Sequence, residues 1–267
     1  MGALDEGDGS TQATDGNRAS SGKLGGAEHT GGTHNGCMRP RPLIFAGRPA
    51  RQHDPTSCGA ACLVVLRALG DPALARDLDA APGAFSTAMS AQRDATAHAA
   101  LGLLPWPRAL GTPPWTAARE ARFPGVRYVS RPLLSGSSHP ATLRRALESA
   151  HRATLAGLPV PIYSGHFLLD RTPARSLPCP VVLPRHVVLA LPASPARPAF
   201  RPDGASLLHV YEPGSGLVHP VSVDELAAAH RPEPRFARAR AALGQWPQIG
   251  WILLPTRRPR RPGRIRR

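Results

Sequence analysis

The sequence predicts an α+β domain in which N-terminal helices pack on a C-terminal antiparallel sheet. Three observations lead there. Residues 58–69 (CGAACLVVLRAL) are apolar on nearly every face, which suits a helix buried inside a domain better than one on its surface. Residues 141–156 carry Leu143, Ala146, Leu147, Ala150 and Leu155 at helical spacing, giving that helix one face for the core. Short strand-like runs then follow at 160–163, 186–191, 206–211 and 250–254.

Residues 1–41 are mostly glycine, serine, threonine and acidic groups, with almost nothing apolar to offset the entropy of ordering, so they read as disordered. Asp54, Pro55, Thr56 and Ser57 are residue types that cap a helix or fix the turn leading into it, which sets Cys58 at the start of the first helix; Gly70 ends it. The alanine-rich stretch 87–103 reads as helical, 105–114 (PWPRALGTPP) as a turn-rich loop and 115–122 as another helix. Residues 257–267 repeat arginine and proline, a composition that repels itself and forms no helix. The expected organisation is a disordered segment over 1–41, one folded domain over 42–256 and a disordered basic tail over 257–267.

A hydrophobic fraction of 42% supplies a core, whereas 31 prolines and 26 glycines imply many loops. The formal charge of +15 would ordinarily point to nucleic acid, yet the excess is arginine, Lys23 being the only lysine, and arginine, alanine, proline and glycine all have GC-rich codons. No aromatic alternates with the arginines of the tail, so base stacking lacks a platform and no sequence-specific nucleic-acid binding is expected; an acidic partner for that tail stays open. Cys37, Cys58, Cys62 and Cys179 follow no secretory signal, so in the expected reducing, cytoplasmic setting they read as thiols, ligands or core residues and not as disulfides. Arg185 and His186 interrupt the longest apolar run, so no membrane span is expected. Cys58 and Cys62 have no further ligands nearby for zinc, and no glycine-rich phosphate loop occurs, so neither metal nor cofactor is expected.

Cys58 is the residue in which chemistry concentrates. A thiol at the start of a buried helix faces unsatisfied amides and the positive end of the helix dipole, which favour the thiolate that attacks carbonyls. Gly59 would leave room for a substrate carbonyl, the Cys58 amide would meet the developing oxyanion, and the side-chain amide of Gln52 would supply a second donor. The nucleophile needs a base, and the base needs an orienting group. His186 opens one strand-like run and Glu212 closes the next; if the two pair antiparallel, both stand at one rim of the sheet. His166 is the rival base. Taken singly, each has a plainer reading: a core cysteine, a space-filling histidine, a glutamate on a turn. Cys62, one turn beyond Cys58, reads as packing, and Trp106 and Trp115 as a lid on the core or walls of a substrate cleft.

The segment QHDPTSCGAACLVVLRALG, with Gln52 upstream and Cys58-Gly59 opening a helix, resembles the first motif of the bacteriocin-processing, double-glycine-leader peptidases. His186 leading a strand, then Glu212-Pro213 followed by GSG, then VSVDELAAAH as a short closing helix, stand in the family's order, so the resemblance spans roughly residues 52–254. It implies a papain-like fold and a cysteine peptidase or related thiol hydrolase acting on a peptide or protein substrate through an acyl-enzyme, with Cys58, His186, Glu212 and Gln52 as its catalytic residues. Two departures stand out: the family usually has aspartate where Glu212 stands, and a long loop is expected from Gly165 to Arg185. The alternatives are an acyl or amide transferase on the same fold, a catalytically silent peptide-binding module, and a nucleic-acid binder using charge alone.

Overall fold

The structure, a computed structural model, describes residues 39–98, 104–133, 140–167 and 182–257. It is an α+β arrangement around one large antiparallel sheet. Its strands are β1 (Arg41–Pro42), β4 (Val126–Pro132), β5 (Val160–Phe167), β6 (Val182–Leu191), β7 (Leu207–Glu212), β8 (Leu217–Ser222) and β9 (Gln248–Arg257), in the spatial order β1-β8-β7-β6-β5-β9-β4. A separate two-stranded ribbon, β2 (Ile44–Phe45) with β3 (Arg48–Pro49), precedes the helices.

Helices cover both faces of the sheet. Four of them, α1 (Cys58–Gly70), α2 (Pro72–Ala80), α3 (Ala84–His98) and α4 (Pro114–Glu120), come before β4, while α5 (Pro140–Leu155), α6 (Val223–Ala227) and α7 (Ala237–Ala242) come after it. Alternation along β6 divides the core. Val187, Leu189 and Leu191 join α1 in one apolar cluster, together with Tyr163 and Tyr211. Val188 and Ala190 join Leu143 and Leu147 of α5 in the other. Both faces of β6 are therefore dry, which is why its second half reads as an unbroken apolar run.

The helix α1 is the central piece of the first cluster, with Ala60, Ala61, Cys62 and Leu66 completely or almost completely hidden. Truncating Leu66 to alanine in such a setting costs about 2–5 kcal/mol. Asp71 stops α1 and starts α2: its carboxylate accepts from the amides of Ala73 and Leu74, with Pro72 next to it where the missing N–H costs nothing. The short α6 stands where a closing helix is expected and is held by a reciprocal cap, Ser222 with Glu225.

Several expectations need correction. Arg41, placed in a disordered segment, pairs with Val218, because proline-flanked residues are tolerated on a two-residue edge strand. Arg257, placed in the basic tail, pairs with Val126. Residues 1–38 and 258–267 lie outside the described residues. The supposed loop from Gly165 to Arg185 is paired strand at its two ends: Gly165, His166 and Phe167 face Pro184, Leu183 and Val182. A bulge beside Gly165 absorbs Arg185, and Pro184 reads as a chain breaker only until that irregularity is seen. Residues 168–181, including Cys179, lie outside the described residues. Among the described residues no single helix is long and apolar enough to cross a membrane.

Candidate active site

Cys58 is the first residue of α1 and is 3% exposed. The turn before it is knotted rather than capped. Ser57 donates its hydroxyl to the Asp54 carbonyl, leaving the helix start without a side-chain cap. The Asp54 carboxylate accepts from the Thr56 amide at 2.8 Å and hydroxyl at 2.7 Å, pairs with Arg93 of α3 at 2.6 Å and lies 3.0 Å from His53. Burial alone would disfavour the charge on Asp54; the Thr56 hydrogen bonds, Arg93 and His53 outweigh it and lower its pKa. The uncapped amides of the first turn are thus available beside the thiol.

His186 and Glu212 meet because β6 and β7 pair antiparallel with Leu189 opposite Tyr211 and Ala190 opposite Val210. That pairing brings the start of β6 and the end of β7 to one rim of the sheet, where His186 and Glu212 stand within reach of each other. The His186 Nε2 lies 2.8 Å from Glu212 Oε1. Cys58 is the other polar group that acts on the ring, and the two residues line the same cleft. The carboxylate takes two more hydrogen bonds, from the amides of Gly214 at 2.6 Å and Ser215 at 2.7 Å.

All three groups are buried, and the charges of His186 and Glu212 support each other. Desolvation works against a charged His186, but hydrogen bonds to Cys58 and Glu212, with the Coulombic effect of both, push its pKa up to about 9. Desolvation likewise works against ionised Glu212, but the hydrogen bonds from His186 and Ser215 and the imidazolium charge bring it down to about 2. Near neutral pH the arrangement is an imidazolium held between a carboxylate and a sulfur.

Several contacts fix the distance between the helix and the sheet. The Cys62 thiol, one turn beyond Cys58, donates to the Val187 carbonyl at 3.4 Å, next to His186, and burial raises its pKa well above the ordinary value. Tyr211 donates its hydroxyl to Ala50 at 2.6 Å, the Gln52 amide donates to Pro213, and Arg51 Nε donates to Gly214. The segment leading into α1 is therefore stitched to the turn that presents Glu212.

Gln52 is anchored close by, its side-chain Nε2 donating to the Asp54 carbonyl at 3.0 Å; its Oε1 is buried with no hydrogen-bond partner among the described residues. Gln52 is not one of the residues lining the cleft at Cys58. Gly59 has a different role from the one expected. A Cβ there would stand 2.6 Å from the Cβ of Thr112, so the space goes to the loop packed on α1 and not to a substrate carbonyl. His166 is exposed and packs edge-on against Trp246, with ring centroids 4.6 Å apart.

A cleft of about 540 Å³ opens at Cys58 and His186. Trp106 and Trp115 both line it, in edge-to-face contact at 5.3 Å. So do Trp246, Trp251 and Tyr163, which no local motif singles out; they come from β5, β9 and the turn before β9 and converge only in the fold. Gly244 was also missed, although a glycine directly after a short alanine-rich helix is a helix-stop signal. A Cβ on it would stand 2.5 Å from Cδ2 and 2.6 Å from Nε2 of His186. Among the described residues no group of three or more histidine, cysteine, aspartate or glutamate side chains could hold a metal ion. No protein-family model, curated protein or solved structure matches the chain.

Proposed function

We propose that this α+β domain is a papain-like cysteine peptidase or closely related thiol hydrolase that cleaves a peptide bond through an acyl-enzyme on Cys58. One observation carries the reading: His186, hydrogen-bonded to the buried carboxylate of Glu212, lines one open cleft together with Cys58 at the start of α1. A nucleophile, its base and the group that orients the base have no comparable reason to converge in a purely structural core.

In the proposed reaction the Cys58 thiolate forms a bond to the substrate carbonyl carbon, and the carbonyl oxygen takes the displaced electron pair. The uncapped amides at the start of α1 stabilise that oxyanion. The intermediate collapses, the C–N bond breaks, and His186 gives its proton to the departing amine. His186 then takes a proton from water, which attacks the thioester and releases the acid and the thiol. Glu212 keeps its charge throughout, holding the tautomer that turns Nδ1 to the sulfur.

Alkylation with iodoacetamide, followed by peptide mapping, tests this. Expected is rapid modification of Cys58 at pH 5.5–6, where an ordinary thiol is almost inert, with loss of that phase in His186→Ala. Modification of Cys58 no faster than a free thiol, and unaffected by His186→Ala, would remove the proposal.

A further inference from the structure

We infer that the cleft beside Cys58 receives an uncharged peptide segment carrying aromatic or large aliphatic side chains, its backbone carbonyls accepting hydrogen bonds from Trp106 and Tyr163. This rests on the peptidase reading and adds the class of peptide to it.

The distribution of tryptophan is the first ground. The chain has four, and all four, Trp106, Trp115, Trp246 and Trp251, line this one cleft. None of them is buried. Tryptophan is the side chain with most apolar surface to hide; here the two buried cores contain none, and of the four indoles that line the cleft only Trp251 also packs against a core. The apolar surface continues outward, because Leu104, Leu110 and Trp115 are exposed along the same segment.

Charge is the second ground. Among the described residues lining the cleft there is no aspartate or glutamate, and the cationic groups are Arg185 and His186. A lysine or arginine side chain entering there would be desolvated with no carboxylate to pair with, and a glutamate would give up more hydration among the indoles than a single ion pair repays.

Unmet hydrogen bonding is the third. The indole Nε1 of Trp106 and the hydroxyl of Tyr163 are both buried without a hydrogen-bond partner among the described residues, and both residues line the cleft. Tyr163 is 1% exposed. Buried polar atoms are rarely left so. An indole N–H can only donate, so its missing partner is an acceptor, and the acceptor repeated along any peptide is the backbone carbonyl. A cleft of about 540 Å³ is of the size that takes a few residues.

Because every tryptophan lines the cleft, intrinsic fluorescence reads its occupancy. The full chain carrying Cys58→Ala is titrated with acetylated, amidated tetrapeptides: one of leucine and phenylalanine, one of glycine, and versions with lysine or glutamate at the central positions. A saturable change in emission is expected with the leucine–phenylalanine peptide, at least tenfold tighter than with any of the others. Trp106→Phe, which keeps the ring and loses the N–H, should weaken it several-fold. Equal binding of the glycine or lysine peptide, or no saturable change, would overturn the inference. The two readings fail separately. Apolar binding in a protein whose Cys58 alkylates like a free thiol sinks the peptidase and leaves the cleft assignment standing; fast alkylation with no preference among peptides does the reverse.

Discussion

Gly244 lies against the imidazole of His186, so close that a single methyl group on it would overlap Cδ2 and Nε2. At this point the loop after α7 can present nothing larger than a hydrogen atom to the ring. Ser164, paired with His186 in the sheet, donates its hydroxyl to the neighbouring Leu243 carbonyl and fastens that loop in place.

Gly244→Ala should therefore tilt the imidazole off the line between Cys58 and Glu212. The expected result is at least a tenfold fall in Cys58 alkylation at pH 6, together with a stability loss of roughly 1 kcal/mol from the left-handed backbone at φ +62. Gly204→Ala is the control, since it has φ +82 but open space around it; it should lose similar stability and keep full reactivity.

Glu212→Gln preserves shape and removes the charge that supports the imidazolium. Only one side-chain oxygen then remains for Gly214, Ser215 and His186 to share. Alkylation of Cys58 should become much slower below pH 7, its rate rising toward that of wild type in alkaline buffer. Urea unfolding should give a destabilisation of about 1–3 kcal/mol, the cost of buried donors left without an acceptor.

The pair also predicts a stability optimum. Glu212 is lowered to about 2, so its contribution is present above the unfolded value of 4.5 and lost as pH falls through 2. His186 is raised to about 9, so its contribution is full below 6.5 and lost as pH rises through 9. Together they favour the fold most between pH 4.5 and 6.5, by on the order of 3 kcal/mol for the pair as a whole. Urea midpoints at pH 3, 5.5 and 9.5 should show this dome in wild type and a flatter profile in the double variant His186→Phe, Glu212→Leu.

Arg93 reaches from α3 to the turn ahead of Cys58, donating to Asp54 and to Thr56. Arg93→Met keeps the stem and removes the guanidinium. A stability loss of about 1–2 kcal/mol is expected, since both hydrogen bonds are only partly buried, and faster amide exchange at Thr56 and Ser57 should accompany it. Unchanged exchange there would mean that the turn holds its shape without α3.

What could be read from the sequence follows the range of the forces involved. The buried helix and its thiol are local, stated by an apolar run after Asp54-Pro55-Thr56-Ser57. His186 and Glu212 are distant from Cys58 but sit at the facing ends of two runs joined in order, and consecutive runs usually pair. The helix α2 was passed over although Asp71-Pro72 announces it, and β4 and β8 were hidden by prolines at their ends or interior. Gly59 was misjudged because Thr112, the side chain that occupies its space, comes from a loop more than fifty residues away. The convergence of Tyr163, Trp246 and Trp251 on Thr112 and Trp106 depends on the neighbour order β6-β5-β9, which no single segment encodes.

The chain's order of synthesis gives the separation of Cys58 from His186 and Glu212 a further meaning. The thiol emerges from the ribosome early, yet the imidazole and carboxylate that would arm it belong to strands made much later. A nascent chain halted before Arg185 carries Cys58 with neither, and is chemically a bystander. On the proposed reading, activation of the thiol would therefore coincide with closure of the sheet.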